Sequence, residues 1–116
     1  MIRFTNSGTE ATEGAIKLVK RATNRSKIIA CHKAYHGSTL GALSLLGDEY
    51  WRNAYRPLLP MIYHYHYNSL ELINAIDFNT AGVIVETVQA EAGVVLPEND
   101  FLVAIRKKCS ETGTLL

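Results

Sequence analysis

The chain has 116 residues, 47% of them hydrophobic and 20% charged, with a formal net charge of +1. That is enough chain for one compact domain. Its scattered basic residues and near-neutral charge lack the electrostatic footprint of a nucleic-acid or membrane-surface binder.

Ile2 to Thr5 is a short apolar run that reads as a strand. Ser7, with Glu10 three residues on, fits a capping box for a helix reaching Thr23, whose apolar side is Ala11, Ala15, Ile16, Leu18, Val19 and Ala22. Lys27 to Cys31 is a second strand candidate. A loop with Tyr35-His36-Gly37 follows, and then a short helix from about Thr39 to Leu46. Asp48 to Pro60 reads as irregular, and Met61 to Tyr67 as extended. Asn68-Ser69-Leu70-Glu71 repeats the capping pattern and opens a helix to Ile76. Ala81 to Glu86 is the clearest buried strand, apolar on both faces as parallel strands are. A helix over Asp100 to Glu111 is closed by Gly113, and Thr114 to Leu116 opens another strand. Strands alternating with helices predict an α/β layer architecture on a mainly parallel sheet. A chain that starts and ends inside strands is expected to be truncated at both ends.

No apolar run approaches the ~20 residues of a spanning helix, and no signal peptide is read at the amino end. The cysteines, Cys31 and Cys109, lie far apart without metal-type spacing, which suits a reducing compartment. A soluble, cytoplasmic protein is expected.

Three segments carry candidate chemistry. Asn6-Ser7-Gly8-Thr9 leads into a helix, whose unpaired N–H groups and dipole can hold a phosphate; the competing reading is a capped helix and nothing more. Tyr35-His36-Gly37 follows a strand, where an aromatic beside glycine can lie against a planar ligand, or merely pack on the surface. Glu86 ends a buried strand and Glu91 follows in its loop, where a carboxylate must be paired, bonded or solvated. His32 with His36, and His64 with His66, have spacings compatible with a metal, but no cysteine or carboxylate completes a set. Phosphate-loop, dinucleotide and nucleophile-elbow signatures are missing from the sequence.

Together these segments resemble the class III aminotransferases of the fold-type I pyridoxal-phosphate enzymes, a group that includes acetylornithine, ornithine and 4-aminobutyrate aminotransferases. Asn-Ser-Gly-Thr-Glu-Ala at 6–11, Tyr-His-Gly-Ser-Thr-Leu-Gly-Ala at 35–42, Glu-Thr-Val-Gln-Ala-Glu-Ala-Gly at 86–93 and Glu-Thr-Gly at 111–113 come in the family's order and spacing. The resemblance implies a three-layer α/β/α sandwich, with residues 1–116 forming part of the large cofactor-binding domain. It implies pyridoxal 5′-phosphate as cofactor. Gly8 and Thr9, with Ser7 adjacent, would hold the phosphate, and Tyr35, with His36 beside it, would lie on the ring. Glu86 and Glu91 match two acidic positions beneath the substrate, the second pairing with an arginine from later in the chain. The implied reaction moves an amino group from an amino acid or ω-amine to a 2-oxo acid, in a homodimer.

Two departures stand out. The family's Glu-Pro-x-Gln-Gly-Glu is here Glu86-Thr87-Val88-Gln89-Ala90-Glu91, and Ser38 stands where acetylornithine-type members carry arginine. The Schiff-base lysine matches nothing in this chain: lysines 17, 20, 27, 33, 107 and 108 read as solvated, so the 116 residues alone are expected to be inactive. The alternatives are a non-catalytic α/β module binding a phosphorylated small molecule, and a metal module using His32, His36, His64 and His66.

Overall fold

A computed structural model describes residues 2–116. Its element order is α1 (Gly8–Thr23), β1 (Lys27–Cys31), α2 (Leu40–Leu45), α3 (Glu49–Arg52) with a 3-10 turn at Asn53–Tyr55, β2 (Ile62–Tyr65), α4 (Leu70–Ala75), β3 (Thr80–Val83) and α5 (Phe101–Thr112). The strands form a parallel sheet in the order β2-β1-β3. Leu115 extends it beyond β3 through a parallel bridge to Gly82.

Strand periodicity divides the core in two. Ile28 and Ala30 of β1 face one way and meet Ile16 and Val19 of α1, Leu45 of α2 and Ala81 of β3. Ile29 and Cys31 face the other way, against Leu72 and Ile76 after them in α4 and its end, and Phe101, Ile105 and Cys109 of α5. The four-residue spacing of the α5 residues puts them on one helix face. The result is the expected three-layer α/β/α arrangement, with helices covering both faces of a parallel sheet.

The amino end of the sheet is tied by purely structural contacts. Arg25 donates to the carbonyls of Thr80 and Thr112, both at 3.0 Å. Lys27 pairs with Asp77 at 2.9 Å and donates to Ala75 O at 2.7 Å. Lys27 is therefore a structural residue, where the sequence reading had it solvated.

Four local readings are corrected. Residues 2–5 are not a strand: Ile2 and Phe4 are 84% and 90% exposed, and no sheet neighbour satisfies their backbone among the described residues. The buried strand ends at Val83 and not at Glu86: its ladder stops at the Ile29–Val83 pair, while β1 runs on to Cys31 paired with β2. Ile84 N–H still donates to Ile29 O at 2.9 Å, and the chain then leaves the sheet. The irregular 48–60 segment contains α3, whose cap is Asp48, with its side chain accepting from Tyr50 N–H. The cap of α4 is Ser69, accepting from Leu72 N–H, and Asn68 serves elsewhere, holding Leu96 O and Glu98 N–H. Gly113 caps α5 at φ 68°, as expected.

Candidate functional site

The loop at the carboxyl end of β1 meets the amino end of α1, and the loop after β3 packs on the β1 loop, at the edge where open parallel sheets build their sites. At α1 the Ser7 half of the expected capping box forms, and the return bond from Glu10 goes to the residue before the cap. Ser7 Oγ accepts from Glu10 N–H at 3.2 Å, while the Glu10 carboxylate reaches back to Asn6 N–H at 2.8 Å. Ser7 is thereby occupied as a cap. The N–H groups of Gly8 and Thr9 keep no protein acceptor among the described residues, and they point out of a helix start with its partial positive charge.

The Tyr35–Thr39 segment lies against this helix start. Gly37 adopts φ +123°, and a Cβ there would overlap the Thr9 side chain. Gly8, Thr9, Thr12, Tyr35, His36 and Gly37 consequently line one open cavity of about 300 Å³. Tyr35 is 49% exposed, with its hydroxyl 3.1 Å from Ser38 Oγ. Burial holds the His36 imidazole below its ordinary pKa, so it is neutral at pH 7, and its buried Nε2 has no hydrogen-bond partner among the described residues. A buried polar atom without a partner is unusual and fits a site that a ligand completes.

Tyr35 also borders a larger cavity, about 720 Å³, whose lining includes Lys33, Ser38, Trp51, Tyr55 and Glu91. Glu91 is thus brought to the Tyr35 side of the site. Glu86 lies beside Tyr35. Burial pushes its carboxyl above the usual range, the N–H groups of Tyr35 and Ala90 oppose that shift, and the Glu91 charge adds to it. Its Oε2 is buried without a partner. Of the seven residues singled out in the sequence, Gly8, Thr9, Tyr35, His36 and Glu91 line these two cavities, while Ser7 caps α1 next to Gly8 and Glu86 lies against Tyr35.

Three supports escaped the sequence reading. Gln89, 2% exposed, donates to His32 O at 3.0 Å and pairs its backbone with Val95, which closes the 89–95 loop. Tyr67 Oη donates to the carbonyls of Glu86 and Thr87 at 3.0 and 3.2 Å. Glu13 accepts from Thr39 and Ala42. Each is a polar residue whose partner is distant in sequence, so spacing gives no sign of it.

The histidines separate. The ring of His32 lies 4.7 Å from that of His66 and 5.9 Å from that of His64, whereas His36 stands at the α1 cavity. His64 is further engaged by Leu45 O at 3.2 Å and by the Arg52 guanidinium. Among the described residues no group of three His, Cys, Asp or Glu side chains is arranged to hold a metal. None of the described helices is long and apolar enough to cross a membrane.

The family model for aminotransferase class-III matches residues 1–116. The chain is 46% identical over 114 residues to an acetylornithine aminotransferase of Methanopyrus kandleri, covering 97% of this chain and 29% of that protein. It is 40% identical over 111 residues to a LysW-aminoadipate semialdehyde/glutamate semialdehyde transaminase of Sulfurisphaera tokodaii, covering 96% and 29%. Among solved structures, an ornithine aminotransferase from Toxoplasma gondii superposes with a TM-score of 0.88 at 28% identity, over 96% of this chain and 29% of that one. A taurine:2-oxoglutarate aminotransferase from Bifidobacterium kashiwanohense, solved with PLP and glutamate, superposes at 0.83 with 27% identity, over 96% and 31%. The chain spans about 30% of the length of the relatives it matches.

Proposed function

The chain belongs to the class-III aminotransferase family, and on that footing we propose that residues 1–116 are the first part of the large, cofactor-binding domain of a pyridoxal-phosphate aminotransferase. The complete enzyme moves an amino group from an amino acid or ω-amine to a 2-oxo acid. When bound, pyridoxal 5′-phosphate supplies an aldehyde that takes up the amino group and a ring that withdraws electrons.

The residues present fit that group. The free N–H groups of Gly8 and Thr9 would receive the phosphate at the α1 dipole, with Ser7 holding the helix start in shape. Tyr35 offers its half-exposed ring, and neutral His36 offers an unpartnered Nε2 beside it. Glu91 lines the larger cavity, and the buried Glu86 Oε2 beside Tyr35, which has no hydrogen-bond partner among the described residues, would receive an ammonium or guanidinium group. The observation that carries this reading is the contact of Thr9 with Gly37, because it puts the anion seat and the aromatic loop around one cavity.

The lysines do not fit the remaining role. Lys17 and Lys20 lie on α1, Lys107 and Lys108 on α5, and Lys27 is held by Asp77. Lys33, in the turn after β1, lines the larger cavity as an exposed side chain. Free, buried Cys31 and Cys109 suit a cytoplasmic setting. The exposure of Ile2, Phe4, Tyr50 and Trp51 suits burial in further chain and in a homodimer.

Equilibrium dialysis of the chain with pyridoxamine 5′-phosphate tests the reading, since that ligand lacks the aldehyde that labels surface lysines. Saturable binding that ribose 5-phosphate does not match supports it. Equal binding of both phosphates would favour a module for phosphorylated small molecules, and no binding would overturn the assignment.

A further inference from the structure

We infer that Glu13 is a positioning residue whose carboxylate clamps the Tyr35–Thr39 segment onto α1, and so fixes how the Tyr35 ring stands relative to the Gly8–Thr9 anion seat. The functional consequence rests on the reading just given; the clamp itself rests on geometry alone.

Thr39 is the residue before α2, yet its hydroxyl makes no capping bond to that helix. It donates a short hydrogen bond to Glu13 Oε1, and the same oxygen accepts the Ala42 N–H at 3.1 Å. The start of α2 is therefore capped by a carboxylate from a different helix. Gly41 presses against this carboxylate so closely that a Cβ would overlap it. Thr9 and Glu13 are four residues apart, on one face of α1. The segment is thus attached twice to that face, at Gly37 by packing on Thr9 and at Thr39 by hydrogen bonding to Glu13. Tyr35 and His36 lead into this double attachment.

The test combines amide hydrogen exchange with ligand binding on the full chain. In Glu13→Ala, exchange at Ala42 and across 37–39 should accelerate by about tenfold or more, with β1 amides unchanged. Glu13→Gln keeps an acceptor oxygen and should fall between. Affinity for pyridoxamine 5′-phosphate should drop about tenfold in Glu13→Ala, while inorganic phosphate, which needs only the α1 seat, should change less than about twofold. Should Glu13→Ala fail to fold, Thr39→Val removes only the hydroxyl donor, and faster exchange across 37–39 is expected from it. Unchanged exchange in either folded variant overturns the clamp. So does equal weakening of both ligands, which a merely structural role would give. If the native chain binds neither ligand but the exchange result holds, the cofactor reading fails and the clamp stands.

Discussion

The side chain of Thr9 occupies the space that a Cβ on Gly37 would need, and Gly37 sits at φ +123°, so the helix start and the aromatic loop meet at a glycine that nothing larger can replace. Gly37→Ala should cost about 1–3 kcal/mol through backbone strain and overlap. Trimming Thr9 to serine in the same chain should recover only part of this, because the strain at residue 37 persists. Urea unfolding of the single and double variants measures it; a Gly37→Ala chain as stable as the native one would refute the contact.

Tyr35→Ala should weaken pyridoxamine 5′-phosphate by roughly tenfold, from an aromatic stacking worth about 1 kcal/mol and the loss of its area, while leaving inorganic phosphate unaffected. Tyr35→Phe loses only the hydrogen bond to Ser38 and should bind nearly as the native chain does. Dialysis of both ligands separates the two contributions. Equal losses in the alanine and phenylalanine variants would assign the effect to the hydroxyl.

Much of this arrangement was legible from the residues alone, and the reasons are local. The α1 cap, the apolar run of β1 and the glycine ending α5 depend on neighbours within one helical turn or one strand, so spacing reveals them. Residues 2–5 misled because an apolar run fits a strand whether or not a partner exists, and β3 stopped short because pairing with β1 ends at Val83, which an apolar run does not reveal. In the site, Thr9 and Tyr35 announced themselves by motif. Glu13 did not, and Gln89 stood in a motif that gave no sign of its partner, since each acts on a segment brought near only by the fold.

Burial, then the Arg52 charge, lowers the pKa of His64 from 6.5 to about 4, with His32 opposing and Leu45 O and Glu49 favouring its protonated form. The unfolded chain therefore takes up this proton first. Stability should fall as pH drops from about 6.5 towards 4 and gain no further loss from this residue below that. His64→Gln, which keeps a donor for Leu45 O, should flatten the profile in that window. Urea midpoints across pH 4–8 decide it; an unchanged slope in the variant contradicts the assignment.

Glu86 shifts the other way. With its carboxyl raised by burial, stability is fully present at acid pH and is partly lost as pH rises and the group ionises. Glu86→Gln should therefore be slightly more stable than the native chain at pH 7, by about 1 kcal/mol or less given its partial exposure, and equal to it below about pH 4. The same variant should lose affinity for an amine-bearing ligand. A variant less stable at neutral pH would mean that the Tyr35 and Ala90 N–H bonds to the ionised carboxyl outweigh the cost of burying it.

Incubated with pyridoxal 5′-phosphate, an amino donor and a 2-oxo acid, the 116-residue chain should bind but not turn over, and no stable lysine-dependent absorbance should form. Lys33 is the residue to watch, because it lines the cavity beside Tyr35. A yellow species abolished by Lys33→Ala would show that the chain carries a reactive lysine of its own.

The most direct measurement is a titration of the isotopically labelled chain with pyridoxamine 5′-phosphate, followed at backbone amides by NMR. Gly8, Thr9, Tyr35 and Gly37 should shift together along a single saturation curve, with α5 silent on the far side of the sheet. Shifts confined to surface lysines, or movement at Tyr35 without Gly8 and Thr9, would contradict a phosphoryl seat at the start of α1.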